Sequence, residues 1–412
     1  MVTVPRDSDR FVVPRVGRLP GTWSVCDDGL ASRSARSRGS GPYEASRPAE
    51  IAELALTLPS GLAADAADAE AALTAFDAHA IRVLGTDDPA LGPMSAVLLR
   101  TESASSSRIE DLTVGAKQLA LAELHQSRSH NARAVVANVR TMEAALRLAD
   151  VLDLPALLRM HHELMTGVSL VPSSDAGRLR EQLVWIGRSV LSPLGAAHIA
   201  PEAEHVPAAM EDLVRFIARD DLPVLVHAAL AHAQFETIHP FTDGNGRTGR
   251  ALVHAMLRGK GLVTTATAPV SAGLLIDLES YAQALNTFRE GDAGPIVERF
   301  AQAARYAAVT GSRLIEDLDA ELAASRARLE GMRPHATAWK VLPFLIAQPI
   351  VDAAHVQQRL GVSAMTAQRA LAQLTDAGVL QEITGRSRHR AWQHRGILSV
   401  LDEYAAAIRR VG

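Results

Sequence analysis

The chain has 412 residues and a formal net charge of −4 at neutral pH; hydrophobic residues make up 48% of it, but aromatic residues only 4%. This length exceeds one ordinary hydrophobic core and predicts two or three domains, and a composition rich in Ala and Leu favours a mainly α-helical fold. The single cysteine excludes an internal disulfide framework and is typical of a reducing cytoplasm, and no apolar run is long enough to cross a bilayer.

Charge is unevenly distributed along the chain. Residues 331–412 carry ten Arg or Lys and five Asp or Glu, a net charge of +5, whereas the preceding residues carry 32 basic and 41 acidic side chains, a net charge of −9. A basic C-terminal module that follows an acidic body indicates an anionic partner for that module.

Residues 1–45 are predicted to form a disordered tail. The stretch LASRSARSRGSGP supplies Ser, Arg and Gly but almost nothing apolar to bury. Its Arg- and Ser-rich composition also fits an organelle transit peptide, but the interspersed Asp, Gly and Pro favour a plain solvated tail. No apolar stretch follows Arg6 and Arg10, so a secretory signal is not expected.

Helical patterns follow the tail. Residues 46–130 are predicted to form an N-terminal helical region, because apolar residues recur at three- and four-residue spacing in ADAADAEAALTAFDAHAIRVL. The same spacing continues in NARAVVANVRTMEAALRLADVL, at the start of a second region, 131–310. Within that region a short β-type run, Leu183–Ile186, is ended by Gly187 and predicts a small hairpin or extended flap.

The stretch HPFTDGNGRTGR, residues 239–250, lies between two predicted helices, so its loop leads into a helix N-terminus. Such a terminus presents unpaired N–H groups and partial positive charge, and Gly244 and Gly246 let an anion approach the backbone. His239 can accept a proton near neutral pH, and Asp243 offers a hard oxygen to Mg²⁺. An amide and two guanidinium groups add further phosphate donors. The combination predicts phosphoryl or nucleotidyl transfer.

The same stretch has simpler interpretations. Asp-Gly and Asn-Gly are ordinary turn signals, and an isolated histidine is more often structural. A calcium loop starting at Asp243 is excluded, because its sixth and twelfth positions are Thr248 and His254 instead of Gly and Glu. A Walker loop is excluded because no Gly-Lys-Ser/Thr follows. All of the residues together, at this spacing, favour the catalytic interpretation.

Residues 239–250 match the Fic motif, HxFx(D/E)GNGRxxR, at every defined position, and the chain resembles Fic proteins over about residues 46–310. The resemblance implies a helical Fic core, residues 131–310, with a β-hairpin flap. It also implies transfer of AMP from ATP to a hydroxyl side chain of a target protein. A kinase-like branch of the family carries Ala and Lys within its motif, which this motif lacks, so nucleotidyl transfer is favoured over phosphorylation.

The resemblance further implies a role for individual residues. His239 would deprotonate the target hydroxyl, Phe241 would pack into the core, and Asp243 would hold Mg²⁺ between the α- and β-phosphates. Arg250 would clamp the γ-phosphate, and the flap would align a target segment by strand-like pairing. Arg289 replaces an asparagine used by some relatives. The implied nucleotide-binding residues are Gly244, Asn245, Gly246, Arg247, Thr248, Gly249 and Arg250 of the motif, Val184, Trp185, Ile186 and Gly187 of the flap, and Tyr281.

The stretch SSSRIED, residues 105–111, has two interpretations. Its serines and glutamate fit the start of a helix. Ser106 and Glu110 also resemble the inhibitory motif of Fic proteins, (S/T)xxxE(G/N), although Asp111 stands at its last position. The resemblance implies that Glu110 pairs with Arg250 and misaligns ATP, so that the enzyme is autoinhibited.

A helical linker, 311–333, and a winged-helix domain, 334–412, are predicted to complete the chain. In AAHVQQRLGVSAMTAQRALAQLTDAGVL, Gly361 marks a turn, Ser363 caps a second helix and Gly378 ends it. The following LQEITGRSRHRAW predicts a hairpin with a basic tip. The basic residues of this predicted wing are Arg386, Arg388 and Arg390. Such modules bind DNA through the second helix and the wing, but a similar appendage of Fic proteins also serves homodimerisation or target contact, and these alternatives stay open.

The sequence therefore predicts a mainly α-helical protein adenylyltransferase with an inhibitory helix and a C-terminal winged helix, with ATP and Mg²⁺ as its substrate and metal. The competing hypothesis is a transcriptional regulator whose Fic core only senses ATP. An intact His239 argues against that alternative, because a sensor does not need a base.

Overall fold

The computed structural model describes residues 10–26, 32–84, 90–166, 175–187, 189–383 and 390–409. Helices predominate in these residues, and their strands form three small antiparallel sheets. The predicted mainly α-helical fold is confirmed. No helix in the described ranges is both long and apolar enough to cross a membrane.

The elements are, in chain order, β1 (Gly17–Trp23), α1 (Arg33–Gly39), β2 (Gly41–Arg47), α2 (Ser60–Leu84), α3 (Leu91–Ile109), α4 (Ala116–Glu123), α5 (His130–Arg147), α6 (Leu154–Met165), β3 (Trp185–Ile186), β4 (His198–Ile199), α7 (Val206–Ile217), α8 (Val224–Ile238), α9 (Asn245–Gly259), α10 (Val270–Leu275), α11 (Leu278–Arg289), α12 (Gly294–Arg328), α13 (Thr337–Val341), β5 (Ile350–Asp352), α14 (Ala353–Leu360), α15 (Ala364–Asp376), β6 (Gln381–Glu382), β7 (Ala391–Gln393) and α16 (Arg395–Arg409).

The chain forms two compact units that alternate along the sequence. Unit 1 comprises Met1–Asp68, Ala144–Lys260 and Glu279–Ala301, and unit 2 comprises Ala69–Glu143, Gly261–Leu278 and Gln302–Gly412. The predicted boundary between residues 310 and 311 falls inside α12, so the expected linker is the continuation of one long helix.

The core of unit 1 is built around α8. Every residue of this helix from Leu225 to Ile238 is buried, and α7 and α9 pack against it. The helix is apolar on nearly all sides, so it is stable only when other helices surround it. The connection from α8 to α9 is the motif loop, which this packing holds at the end of two buried helices.

The N-terminal segment forms a hairpin where the sequence predicted a disordered tail. β1 pairs with β2 along its whole length, and α1 lies between them in the sequence. Phe11 and Val13 anchor the segment, because both are buried and their backbones bond to the segment after α11. The composition of this segment predicted disorder wrongly, because the backbone hydrogen bonds between paired strands form without apolar side chains. Residues 1–9 and 27–31 of the predicted tail lie outside the described residues.

Unit 2 contains α3, which packs against α10. Glu102 of α3 is fully buried and accepts a hydrogen bond from the Ser271 N–H at 2.9 Å, and its carboxylate also bonds the Ser271 hydroxyl. A buried carboxylate with such partners fixes one end of α10. Glu102 is therefore a structural residue of unit 2.

The winged helix of unit 2 follows the prediction. Gly361 ends α14 with a left-handed backbone, φ 63°, and the Ser363 hydroxyl caps α15 by accepting a hydrogen bond from the Thr366 N–H at 3.2 Å. The chain leaves α15 through Gly378, φ 70°, and β7 pairs with both β5 and β6 to form the wing sheet. Two arginines of the predicted wing tip, Arg386 and Arg388, lie outside the described residues.

Candidate active site

The motif loop begins at His239, which ends α8 with a left-handed backbone, φ 50° and ψ 62°. Its N–H donates to the Phe235 carbonyl at 2.8 Å. Few residues other than glycine adopt this conformation, and it persists only where the surrounding structure enforces it. The chain therefore reverses direction at His239.

Gly244 lies directly before the first residue of α9. Its φ is 76°, and a Cβ at this position would lie 2.7 Å from Leu164 Cδ2, so a side chain here would strain the backbone and displace Leu164. α9 begins at the next residue, Asn245, so the N–H groups of its first turn have no carbonyl acceptor within the helix. This helix terminus is the part of the predicted anion site that the backbone supplies.

The side chain of Asn245 bonds to the backbone of the motif loop. Its side-chain oxygen accepts from the Phe241 N–H at 2.9 Å, and its amide nitrogen donates to the Phe241 carbonyl at 2.8 Å. Because both ends of the carboxamide bond to the loop and the residue is 2% exposed, its observed contacts hold the backbone. The direct phosphate contact of this side chain stays a prediction.

Two residues that sequence reasoning missed hold the same loop, and the first is His161 of α6. Its ring stacks on Phe241 with centroids 3.7 Å apart and an angle of 5° between the planes. Its Nδ1 accepts from the Gly177 N–H at 3.0 Å, and its Nε2 donates to the Asp243 carbonyl at 3.1 Å. Burial lowers the pKa of His161 to about 4, so the ring is neutral at pH 7.

The second missed residue is Arg180, which is 4% exposed. Its Nε donates to the His239 carbonyl at 2.8 Å, and its terminal nitrogens donate to the carbonyls of Gln182 at 2.8 Å and Pro201 at 2.7 Å. Burial lowers the pKa of Arg180 to about 10, which leaves it protonated at neutral pH. Arg180 therefore ties the motif loop to the segments on either side of the flap.

Asp243 is the candidate Mg²⁺ ligand. Its side chain is 51% exposed, Oδ1 accepts from the Gly244 N–H at 2.6 Å, and an Arg247 nitrogen lies 3.6 Å from the same oxygen. No group of three or more potential protein ligands occurs in the described ranges. Mg²⁺ is commonly held by one or two carboxylates together with water and substrate phosphates, and a single accessible carboxylate beside an anion site fits that pattern.

The remaining motif residues lie on α9. Arg247, Thr248 and Arg250 are buried despite their polar side chains. A Cβ on Gly249 would lie 3.0 Å from Phe235 Cδ1 and 3.1 Å from His232 Nδ1 of α8, so glycine permits the close approach of the two helices. The motif thus combines the predicted anion-binding residues with a glycine that keeps α8 and α9 close together.

The flap has the predicted hairpin form. β3 pairs with β4, and further hydrogen bonds join the Ala197 N–H to the Ile186 carbonyl at 2.8 Å and the Ala200 N–H to the Val184 carbonyl at 3.1 Å. Among the described strands, β3 pairs with β4 alone, and Ile186 is 40% exposed. An edge strand with one unused side can accept an extended peptide.

Tyr281 and Arg289, which the sequence connected with the nucleotide, both contact α8. Tyr281 is 6% exposed, and its hydroxyl lies 2.5 Å from His232 Nε2. Arg289 donates to the Glu236 carbonyl at 3.2 Å and to the Asn286 side chain at 2.9 Å, and burial lowers its pKa to about 10. These contacts hold the C-terminal half of α8, which leads into the motif loop.

In unit 2, SSSRIED ends a helix, so the interpretation as a helix start is wrong. Ser106 is fully buried inside α3, and the Ser107 hydroxyl accepts from Asn138 Nδ2 at 3.1 Å. Glu110 is the partly exposed C-terminal cap of α3, and Asp111 follows with φ 61°. All three serines of the stretch are buried within α3, and the inhibitory role of Glu110 stays a prediction.

The wing residue Arg390 has contacts within its own hairpin. Its Nε donates to Glu382 Oε1 at 2.8 Å, a second nitrogen lies 2.5 Å from Oε2, and the guanidinium lies 4.9 Å from the centre of the Trp392 ring. A bidentate ion pair across β6 and β7 stabilises the wing sheet. In the free protein Arg390 thus takes part in a contact within the wing, and its phosphate contact stays a prediction.

Comparison with known proteins agrees with both parts of the sequence interpretation. Residues 151–257 match the model of the Fic/DOC family, and residues 340–398 match that of an HTH DNA binding domain. The chain thus contains a Fic/DOC domain, with the motif loop inside it, and a C-terminal HTH domain.

Curated relatives share the first of these domains. The protein adenylyltransferase fic-1 of Caenorhabditis elegans is 29% identical over 174 residues, which are 39% of this chain and 30% of the relative. The protein adenylyltransferase Fic of Nematostella vectensis is 36% identical over 107 residues, 23% of each chain. The chain thus spans less than a third of the length of these relatives.

Among solved structures, a Fic family protein from Desulfovibrio desulfuricans G20 is 26% identical, with a TM-score of 0.49 over 79% of this chain and 95% of the other.

Proposed function

We propose that this protein transfers AMP from ATP to a hydroxyl side chain of a target protein. The observation that carries the proposal is the geometry of the loop between α8 and α9. It presents His239 on a fixed left-handed turn, directly before a glycine-led helix N-terminus that carries two buried arginines. A base beside an anion-binding helix terminus is the arrangement that displacement at a phosphate requires. The names of the curated relatives support this choice of reaction.

The reaction is a single displacement at the α-phosphorus of ATP. The target hydroxyl oxygen forms a bond to that phosphorus, the bond to the bridging oxygen breaks, and pyrophosphate leaves with the electron pair. His239 takes the hydroxyl proton as the new bond forms. The first-turn N–H groups of α9, with Arg247 and Arg250, offset the charge of the phosphates. β3 aligns the target segment through its unused edge.

Asp243 holds Mg²⁺ in this proposal. The ion would supply charge neutralisation for the leaving pyrophosphate. Asp243 Oδ1 bonds to the loop backbone, which orients the carboxylate before any ligand arrives. His161 fixes the same residue through its carbonyl.

Glu110 acts as an inhibitor of this activity. The support is the resemblance of Ser106 and Glu110 to the inhibitory motif, together with the place of Glu110 at the C-terminal end of α3. A carboxylate at a fixed helix end can oppose correct seating of a triphosphate by charge repulsion or by competing for a guanidinium. The activity of the isolated wild-type chain is therefore low until Glu110 is displaced or replaced.

The winged helix binds duplex DNA. The supporting observation is the outer face of α15, where Met365, Gln368 and Arg369 are exposed while Ala367 and Leu371 face the core. Glutamine and arginine on an exposed second helix are the side chains that read adenine and guanine in the major groove. A regulator that only senses ATP would use this surface as well, but it would form no covalent protein–AMP product.

The direct test is incubation of the Glu110→Gly chain with α-labelled ATP, Mg²⁺ and a cell extract, followed by identification of the labelled proteins. We expect labelled protein that survives denaturation and is absent with His239→Ala. If no protein carries label while ATP changes DNA binding, the ATP-sensing regulator is the correct function.

A further inference from the structure

Glu236 lies one helical turn before His239, at the C-terminal end of α8. It is 5% exposed, and its Oε2 lies 3.6 Å from His239 Nδ1. Its other oxygen, Oε1, is buried and has no hydrogen-bond partner among the described residues. A separation slightly above the hydrogen-bond range is common for catalytic groups before substrate binds.

The carboxylate of Glu236 is ionised in this environment. Burial alone would raise the pKa of Glu236, but the nearby His239 ring, together with the charges of His232 and Arg250, outweighs burial and lowers the pKa below its usual range. Burying an ionised carboxylate costs free energy unless a charged or hydrogen-bonding partner offsets its lost hydration. The ring nitrogen Nδ1 of His239 lies 3.6 Å from the Glu236 carboxylate.

Neighbouring residues hold this pair in place. Arg289 donates to the Glu236 carbonyl at 3.2 Å, and Arg180 donates to the His239 carbonyl at 2.8 Å. A Cβ on Gly249 would lie 3.3 Å from Glu236 Oε1, so the motif glycine also leaves room for the carboxylate. The backbone on both sides of the imidazole is therefore fixed, and one carboxylate faces its Nδ1.

We propose that Glu236 is a positioning residue that accepts a hydrogen bond from His239 Nδ1 and thereby leaves His239 Nε2 free to take the target proton. This inference rests on the proposed transfer of AMP. The same carboxylate stabilises the imidazolium that forms when the proton arrives. Hydrolases that act through a serine, a histidine and an aspartate use a carboxylate in the same way, to fix the ring and its tautomer.

A purely structural ion pair between Glu236 and His239 predicts different behaviour. If the pair were only structural, replacing Glu236 would lower the stability of the fold. It would also lower the rate of AMP transfer by the same factor in the parent and in the His239→Ala chain. Removing a positioning residue would lower kcat while leaving the KM for ATP unchanged, and its effect would vanish once His239 is gone, because residues that act as a unit are not additive.

The experiment uses the full chain with Glu110→Gly and measures AMP transfer by self-labelling. We expect Glu236→Gln to lower kcat by about 10²–10⁴-fold, as loss of a tautomer-fixing carboxylate does elsewhere, with the KM for ATP unchanged within about twofold. We also expect no further loss when it is combined with His239→Ala. A kcat within about twofold of the parent, or a further loss in the combination, would overturn the inference.

The matched control is Asp212→Asn in α7. Asp212 is also a buried carboxylate of unit 1, but it accepts from the Ile51 N–H at 2.7 Å and has no part in the loop. We expect this variant to be less stable to heat and yet to keep kcat per folded molecule. An equal loss of kcat in Asp212→Asn would mean that any buried carboxylate is needed for the fold, and it would overturn the specific role of Glu236.

A second readout does not depend on AMP transfer. Nitrogen NMR of the His239 ring in the neutral state distinguishes the two tautomers. We expect the proton on Nδ1 in the parent and its partial or complete transfer to Nε2 in Glu236→Gln. A proton on Nε2 in the parent would contradict the positioning role, whereas absence of self-labelling with the expected tautomer would contradict only the proposed function.

Discussion

The motif loop and the winged helix differ in how their polar side chains are held. Around the loop, His161, Arg180 and Asn245 are buried and bond to its backbone. On α15, Gln368 and Arg369 are exposed on the face opposite its buried residues. Internal hydrogen bonds thus fix the polar side chains around the loop, whereas those on the outer face of α15 are open to solvent.

This contrast follows from what each region is expected to do. A displacement at phosphorus loses on the order of 10²-fold in rate when a group is misplaced by about 1 Å, so its groups must be fixed in advance. A DNA-reading helix gains affinity from phosphates and base edges that arrive with the partner, and its side chains tolerate rearrangement. Rigid burial is therefore evidence for the first role, and exposed polar side chains are compatible with the second.

The largest effect is expected from His239→Ala. Positioned base catalysis contributes about 10²–10⁴-fold, so AMP transfer in the Glu110→Gly chain should fall by at least that factor. Binding of ATP, measured by calorimetry, should change little because the helix terminus and both arginines remain. Undiminished self-labelling by this variant would remove His239 as the base and would place the reactive group outside the loop.

The next effect is expected from Glu110→Gly, which should raise AMP transfer by on the order of 10²-fold if the glutamate misaligns ATP. Self-labelling rates at equal ATP measure this. The matched control is Asp111→Asn, an exposed neighbouring carboxylate that should change the rate far less. Glu102 is unsuitable as a control because it is buried on Ser271, and Glu102→Gln should mainly lower stability. Equal rates for wild type and Glu110→Gly would mean that the end of α3 is only structural.

A smaller effect is expected on DNA binding. Arg369→Ala should weaken binding of the full chain to its preferred duplex by about 1–3 kcal/mol, the range for a base contact. Arg390→Ala should leave the salt dependence of binding nearly unchanged, because Arg390 pairs with Glu382 within the wing. AMP transfer should be unaffected by either change. A wild-type chain with no affinity for duplex DNA even at low salt would identify the module as an interaction domain.

The smallest effect concerns pH. Burial lowers the pKa of His161, His227 and His232 to about 4, and all three belong to unit 1. A histidine with a lowered folded pKa gives stability that is present above its unfolded pKa and is lost as pH falls toward the folded value. From pH 7 to 6 each should cost up to about 0.7 kcal/mol. Hydrogen exchange should show this loss in α6–α8.

Unit 2 provides the comparison for that pH experiment. In the winged helix burial lowers the pKa of two histidines, His355 and His394. Protection of α14 and α15 from hydrogen exchange should therefore decrease less than that of α6–α8 over the same pH interval. Equal decreases in both units would contradict the assignment of the acid-sensitive groups to the helices around the motif loop.

The sequence predicted those features whose signals are local. The motif residues predicted the loop between α8 and α9. The cap at Ser363, with Gly361 and Gly378, predicted the winged helix. These signals are readable because the residues that cause the structure are neighbours in the chain.

Other features depend on partners that are distant in sequence. Arg180 meets the His239 carbonyl only after folding, and His161 reaches Phe241 from another helix. A charged residue in a flap and a histidine in an amphipathic helix have no periodicity that predicts such contacts. The N-terminal hairpin was missed for a related reason, because its stability comes from strand pairing and from the burial of Phe11.

The central claim is that the α-phosphate of ATP becomes covalently attached to protein in a reaction that needs His239. The most direct measurement compares two preparations of ATP, labelled at the α- or the γ-phosphate, with the Glu110→Gly chain and Mg²⁺. The account predicts that denatured protein retains the α-label, that the γ-label leaves as pyrophosphate, and that His239→Ala retains neither. Retention of the γ-label would show phosphorylation instead, and retention of neither label would contradict a transferase.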